Sequence, residues 1–130
     1  MNTPIQDILK WRRAMQLPTA ARPTMLPAER LSLHNRMLME ELEEMQAAMI
    51  SRDMKEIADA CGDLIYIVTG LADECGIPLL EVMDEIFHSN MTKLGEDGNP
   101  VYREDGKLIK GPNYIPPDIN RILNKYSFGD

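Results

Sequence analysis

With 130 residues, 44% hydrophobic and 27% charged, the chain has the composition of one globular domain, not of a disordered or fibrous chain. Its formal net charge of -7 argues against binding a nucleic acid polymer or an anionic membrane, because both need a basic surface. No apolar run approaches the roughly eighteen residues of a membrane span and no basic-then-apolar leader opens the sequence, so the expected location is cytoplasmic.

A first helix is expected from about Thr3 to Met15, with Ile5, Ile8, Leu9 and Trp11 supplying apolar surface. Trp11 reads as a core or interface anchor rather than a base-stacking platform. Pro18, Pro23 and Pro27 then interrupt the helical pattern. From Ala28 to Ser51 the residues Leu31, Leu38, Leu42, Met45 and Met49 recur at helical intervals and predict a long second helix. Asp53 stands three residues before Glu56, the spacing of a helix cap, and opens a third helix running to about Cys75. Its stripe of Ile57, Cys61, Leu64, Val68, Leu71 and Cys75 is read as the core face. The two cysteines would lie about 21 Å apart along that helix, too far to bridge, and read as small core residues of a reducing compartment.

Gly76 ends the third helix, and Pro78 introduces a fourth that carries Leu79, Val82, Met83, Ile86 and Phe87 to about Lys93. Beyond it, Val101-Tyr102-Arg103 and Leu108-Ile109-Lys110 flank an Asp105-Gly106 step and predict a small β-hairpin. An extended arm through Pro116-Pro117 and a last short helix near Ile119 to Asn124 complete the chain. The expected fold is all-α, a single domain over residues 1–130 with a helical core at about 28–93 and an irregular arm at about 95–130. Low aromatic content and ten methionines suggest that one copy buries modest surface and packs against another.

The second and third helices each carry a row of carboxylates beside the apolar stripe. Glu40-Glu41-Leu42-Glu43-Glu44 supplies Glu41 and Glu44, and Glu56, Asp59 and Asp63 step by three and four. Such rows are commonly no more than solvated helix faces. Here they sit on consecutive helices joined by a short turn near Ser51 to Asp53, and Lys55 is the only Lys or Arg between Arg52 and Lys93. Facing rows of like charge would destabilise the fold unless a hard cation were held between them. Oxygen-only ligands point to Mg2+, with Mn2+ as a substitute, and Mg2+ commonly shares its shell with substrate phosphates.

The run Glu40-Glu41-x-x-Glu44, followed by Glu56-x-x-Asp59, resembles the EExxE and ExxD signature of the all-α nucleoside triphosphate pyrophosphohydrolases. Within that superfamily, Asp63-Leu64-Ile65-Tyr66, Gly76-Ile77-Pro78 and His88-Ser89-Asn90-Met91-Thr92-Lys93 look most like the small MazG-like or phosphoribosyl-ATP-pyrophosphohydrolase-like members. The tail from Asp105 to Pro112, ending in Pro116-Pro117-Asp118, is similar to theirs as well. In many relatives a Glu precedes the aspartate of the Asp-Leu-x-Tyr step by three residues; here that position is Ala60. Aligning by the tyrosine selects Asp63, and aligning by ExxD selects Glu56 and Asp59, so all three remain candidates.

The resemblance implies a four-helix MazG-like bundle, a homodimer or homotetramer, and Mg2+-dependent hydrolysis of a nucleoside triphosphate to monophosphate and pyrophosphate. Glu41, Glu44, Glu56, Asp59 and Asp63 would hold metal, with Glu41 and Glu44 also catalytic. Asn90 and Lys93 would contact substrate, a role their amide and ammonium donors suit. Lys110 would add charge over the phosphates and Tyr114 would stack on a base; Lys107 and Lys110 equally read as solubilising residues of the hairpin. His34, on a face similar to that of Glu41, reads as satisfying a local hydrogen bond. Two other classes fit the same residues: a nucleotide-sensing module without turnover, and a structural bundle with solvated acidic faces. The substrate could also be phosphoribosyl-ATP.

Overall fold

Thr3 starts helix α1 (Pro4–Ala14) with a reciprocal cap: its hydroxyl accepts the Gln6 N–H at 3.2 Å, and the Gln6 side chain accepts the Thr3 N–H at 2.8 Å. Helix α2 (Ala28–Ser51) has no side-chain cap, because Pro27 occupies that position. It ends at Arg52, whose φ of 56° is the left-handed turn that reverses the chain. Helix α3 (Met54–Glu74) then begins as the sequence predicts, with the Asp53 carboxylate accepting the Glu56 N–H at 3.2 Å. This computed structural model describes residues 1–127. The chain divides into two compact units, Met1–Leu79 and Leu80–Asp130.

In the first unit α2 and α3 form an antiparallel hairpin with α1 packed on α3. The predicted third-helix stripe is not its core. Cys61 is exposed and Val68 is 49% exposed, whereas the buried residues of α3 are Ala60, Thr69, Gly70, Ala72 and Glu74. The reason is geometric. Two long helices with one short helix laid against them cover only one side, so the small residues at the close contacts are buried while larger apolar ones stay half-open.

Polar pairs tie this unit together. The Arg12 guanidinium donates to Asp73 and to the Pro18 carbonyl, each at 2.7 Å, and Thr19 donates to the other Asp73 oxygen at 2.7 Å. Arg30 grips Glu74 through two bonds of 2.9 and 2.5 Å. Those bonds, helped by His34, hold the Glu74 carboxyl below the usual carboxylate range against the opposing effect of burial. An acid whose folded pKa is depressed adds stability above its unfolded pKa, and that stability is lost as pH falls through the folded value. Glu74→Gln should therefore flatten the acid limb of a pH–stability curve followed by circular dichroism. At neutral pH it should cost about 2 kcal/mol, less than the ~3–5 of a fully buried pair because the Arg30 side chain is 40% exposed.

The second unit begins within helix α4 (Leu79–Met91), which ends two residues before the predicted limit. Strands β1 (Val101–Tyr102) and β2 (Leu108–Ile109) pair antiparallel, Val101 opposite Ile109 and Tyr102 opposite Leu108, as the Asp-Gly turn predicts. The arm is stapled to α4: Ser89 donates to the Ile115 carbonyl at 2.7 Å, and Ile115 donates to the Thr92 hydroxyl at 2.8 Å. Helix α5 (Ile119–Ser127) runs three residues past its predicted end. Glu81 accepts from Lys125 at 2.9 Å and from the Tyr126 hydroxyl, and Ile122 is 2% exposed, so the added turn is anchored.

Candidate active site

The hairpin brings the two acidic rows together. Glu41 and Glu44 sit one turn apart on α2, and Asp59 and Asp63 one turn apart on α3. Glu41 is the inner member, half-buried, with an Oε2 that is sealed from solvent and has no hydrogen-bond partner. Its carboxyl is pushed above the ordinary range, first by burial and then by the negative charges of Glu44, Asp63 and Asp59. Glu44, Asp63 and Asp59 therefore lie near enough to Glu41 to act on its charge. Glu56 stands one turn nearer the start of α3, is exposed, and gives its backbone N–H to the Asp53 cap.

The donor chemistry, all carboxylate oxygen, is of the kind Mg2+ takes, and one Glu41 oxygen is buried without a partner, a state that costs free energy until a cation or proton meets it. Among the described residues no three acidic, histidine or cysteine groups converge closely enough to hold an ion as they stand. Mg2+ commonly reaches carboxylates through water.

The remaining candidates belong to the second unit. Asn90 is exposed near the end of α4, and its carbonyl accepts the Lys93 N–H at 3.1 Å. The Lys93 carbonyl in turn accepts the Gly111 N–H at 2.8 Å, drawing the arm against this corner. A Cβ at Gly111 would come within 2.4 Å of the Leu94 carbonyl oxygen, so only glycine allows that approach. Lys110 and Tyr114 are brought together, the ammonium 4.7 Å from the ring centroid, which turns that tyrosine's face toward a cation.

Sequence reasoning missed the polar pairs at the far end of α3 and the surroundings of His34. His34 is buried, not locally satisfied: its Nε2 lies 3.4 Å from Glu74 Oε1, longer than a good hydrogen bond, and its Nδ1 has no partner. The available signal was Asp73-Glu74, a doubled acid closing an otherwise apolar helix.

The sequence model described as phosphoribosyl-ATP pyrophosphohydrolase matches residues 10–90, more than half of the chain. Among solved structures, one from Exiguobacterium sp. 255-15, whose assignment as an NTP pyrophosphohydrolase is itself provisional, is 21% identical, with 95% of each chain covered and a TM-score of 0.49. No curated protein matches.

Proposed function

We propose, from the premise that this chain belongs to the phosphoribosyl-ATP pyrophosphohydrolase family, that it hydrolyses a nucleoside triphosphate to the monophosphate and pyrophosphate with the help of Mg2+. The observation that carries this reading is the facing of Glu41 and Glu44 by Asp59 and Asp63, with one buried oxygen left unpaired. Glu41, Glu44, Asp59 and Asp63 would hold the ion, with Glu56 within one helical turn as an outer, water-mediated contact. The chemistry a bound Mg2+ supplies is neutralisation of the triphosphate and acidification of the attacking water.

The chain's own residues account for the proton. A carboxylate held at the inner end of the cleft is placed to act as a base, and Glu41 is in that position. It would take the proton of a water whose oxygen forms the new bond to phosphorus, while the α–β anhydride bond breaks and its electrons leave with pyrophosphate. Glu44, one turn on, would orient that water. No covalent enzyme intermediate is needed. By charge and donor type, Lys93 and Lys110 are assigned to pyrophosphate and Asn90 to a substrate polar group, while the Tyr114 face is taken up by Lys110.

The half-open apolar faces of the first unit favour a homodimer or homotetramer, because residues such as Ile65 at 52% exposure and Val68 at 49% are otherwise left to water. Among the described residues no helix is long and apolar enough to cross a membrane.

A panel of canonical and modified nucleoside triphosphates, together with phosphoribosyl-ATP, tests the reading when pyrophosphate and orthophosphate are assayed side by side. Pyrophosphate released only in the presence of Mg2+ or Mn2+ is the expected result. Phosphoribosyl-ATP as the sole good substrate would move the assignment to the reaction for which the family is described. Tight metal-dependent binding without any product would favour a sensing module. Mg2+ should also raise the melting temperature, and its failure to do so would leave the acidic rows as solvated surface.

A further inference from the structure

The three helices of the first unit enclose a cleft of about 370 Å³, a volume in the range of small-molecule sites. Its walls are mainly apolar, with Trp11 from α1, Leu33 and Met37 from α2, and Tyr66 and Ile67 from α3. Trp11 and Tyr66 meet edge to face with centroids 5.4 Å apart. The charges at its edge are already matched, Arg12 by Asp73 and Arg30 by Glu74, so a phosphate entering here would have to break a pair. The cleft suits an uncharged, flat ligand.

One polar group in it is left over. His34 is 6% exposed, lines the cleft, and makes no hydrogen bond from either ring nitrogen. A buried polar nitrogen in that state is left unsatisfied at a cost in free energy, which a ligand that bonds to it would recover. The cleft also continues the acidic face: Met37 precedes Glu41 by one turn of α2, and Tyr66 and Ile67 follow Asp63 by one turn of α3.

Resting on the assignment of the carboxylates to a metal–triphosphate, we infer that this cleft receives the base of the nucleotide, with Tyr66 along its flat side, Trp11 set near-perpendicular to Tyr66 at its border, and His34 Nδ1 bonding its polar edge. A proton on Nε2, the nitrogen beside Glu74, leaves a lone pair on Nδ1. The edge it reads is then a donor, a ring N–H or an exocyclic amino group. Base selectivity accordingly resides in the first unit, one to two helical turns from the carboxylates.

Free nucleosides lack phosphate, so they probe the cleft without the acidic site. They are titrated into the full chain without Mg2+ and followed by the ¹⁵N shifts of the His34 ring, with His88 as the internal reference. Saturable binding with a shift at His34 Nδ1 is expected for nucleosides that carry a donor edge. His34→Phe and Tyr66→Ala should each weaken it by about tenfold or more. Tyr66 is 43% exposed, so its variant keeps the test alive if the histidine variant does not fold. A His34 ring unmoved by every nucleoside, or equal binding by both folded variants, would overturn the inference. Inorganic tripolyphosphate with Mg2+ is titrated in parallel. Its failure to bind would overturn the carboxylate reading, and with it the nucleotide identity of the occupant, independently of the His34 result.

Discussion

Glu41→Gln should lower kcat by about 10³-fold or more while raising the melting temperature of the metal-free protein. The two effects have opposite signs because the same burial produces both. The amide has nearly the size of the carboxyl but cannot accept a proton from water and is a poor Mg2+ ligand; loss of a positioned base alone commonly costs about 10²–10⁴-fold. For stability the sign is set by the raised pKa of Glu41. A carboxyl that titrates higher in the fold than in the unfolded chain makes stability fall as pH rises through the folded value, so at neutral pH the charged form is a liability and a neutral isostere relieves it. Magnesium should stabilise the wild-type protein and have a weaker effect on the variant. Glu44→Gln should likewise abolish turnover but change the metal-free melting temperature less, since Glu44 is exposed. Glu56→Gln, from the outer turn, should have the smallest kinetic effect of the acidic set. Single-turnover assays and thermal melts with and without Mg2+ measure all of these, and wild-type turnover in Glu41→Gln would remove the proposed base.

The carboxylate pairing was legible in the sequence because helix periodicity and a short turn determine which faces meet. Glu41 lies eleven residues before Arg52 and Asp63 eleven after it, so an antiparallel hairpin brings them level. The Asp53 cap and the Asp-Gly hairpin were legible because they are local, depending on residues within one turn of each other. The core was not. Periodicity marked Cys61 and Val68 as inward, but which stripe is covered depends on where the short α1 lies, and no local pattern encodes that. His34 illustrates the same limit. Its burial and its proximity to Glu74 join residues forty apart, and the Arg12–Asp73 pair joins residues sixty-one apart. The extra turn of α5 depends on Glu81, whose partners Lys125 and Tyr126 are equally remote in sequence.

Gly76→Ala should destabilise the first unit by on the order of 4 kcal/mol, a large share of the ~5–15 typical of a whole domain. Gly76 ends α3 in a Schellman turn: its N–H donates to the Asp73 carbonyl at 3.1 Å, and the Ile77 N–H to the Ala72 carbonyl at 2.8 Å. Its φ of +67° costs any other residue about 1–2 kcal/mol. The remainder comes from contact, because an alanine Cβ would lie 2.0 Å from the Arg22 carbonyl oxygen and 2.5 Å from its carbon, and a backbone segment cannot rotate out of the way as a side chain can. That segment is held where it is. Ala20 donates to the Asp73 carbonyl at 3.1 Å and Thr24 to the Cys75 carbonyl at 2.8 Å, so moving it strains the same helix end that presents Asp73 to Arg12 and Glu74 to Arg30. Gly98→Ala is the control. Its φ is +79°, yet nothing lies within 4 Å of the added methyl, so it should show only the conformational cost of about 1–2 kcal/mol. Trp11, the only tryptophan, reports the first unit by fluorescence in urea, and far-ultraviolet circular dichroism reports both. Equal losses in the two variants would show that the Arg22 backbone yields, and that the end of α3 is not rigidly set against it.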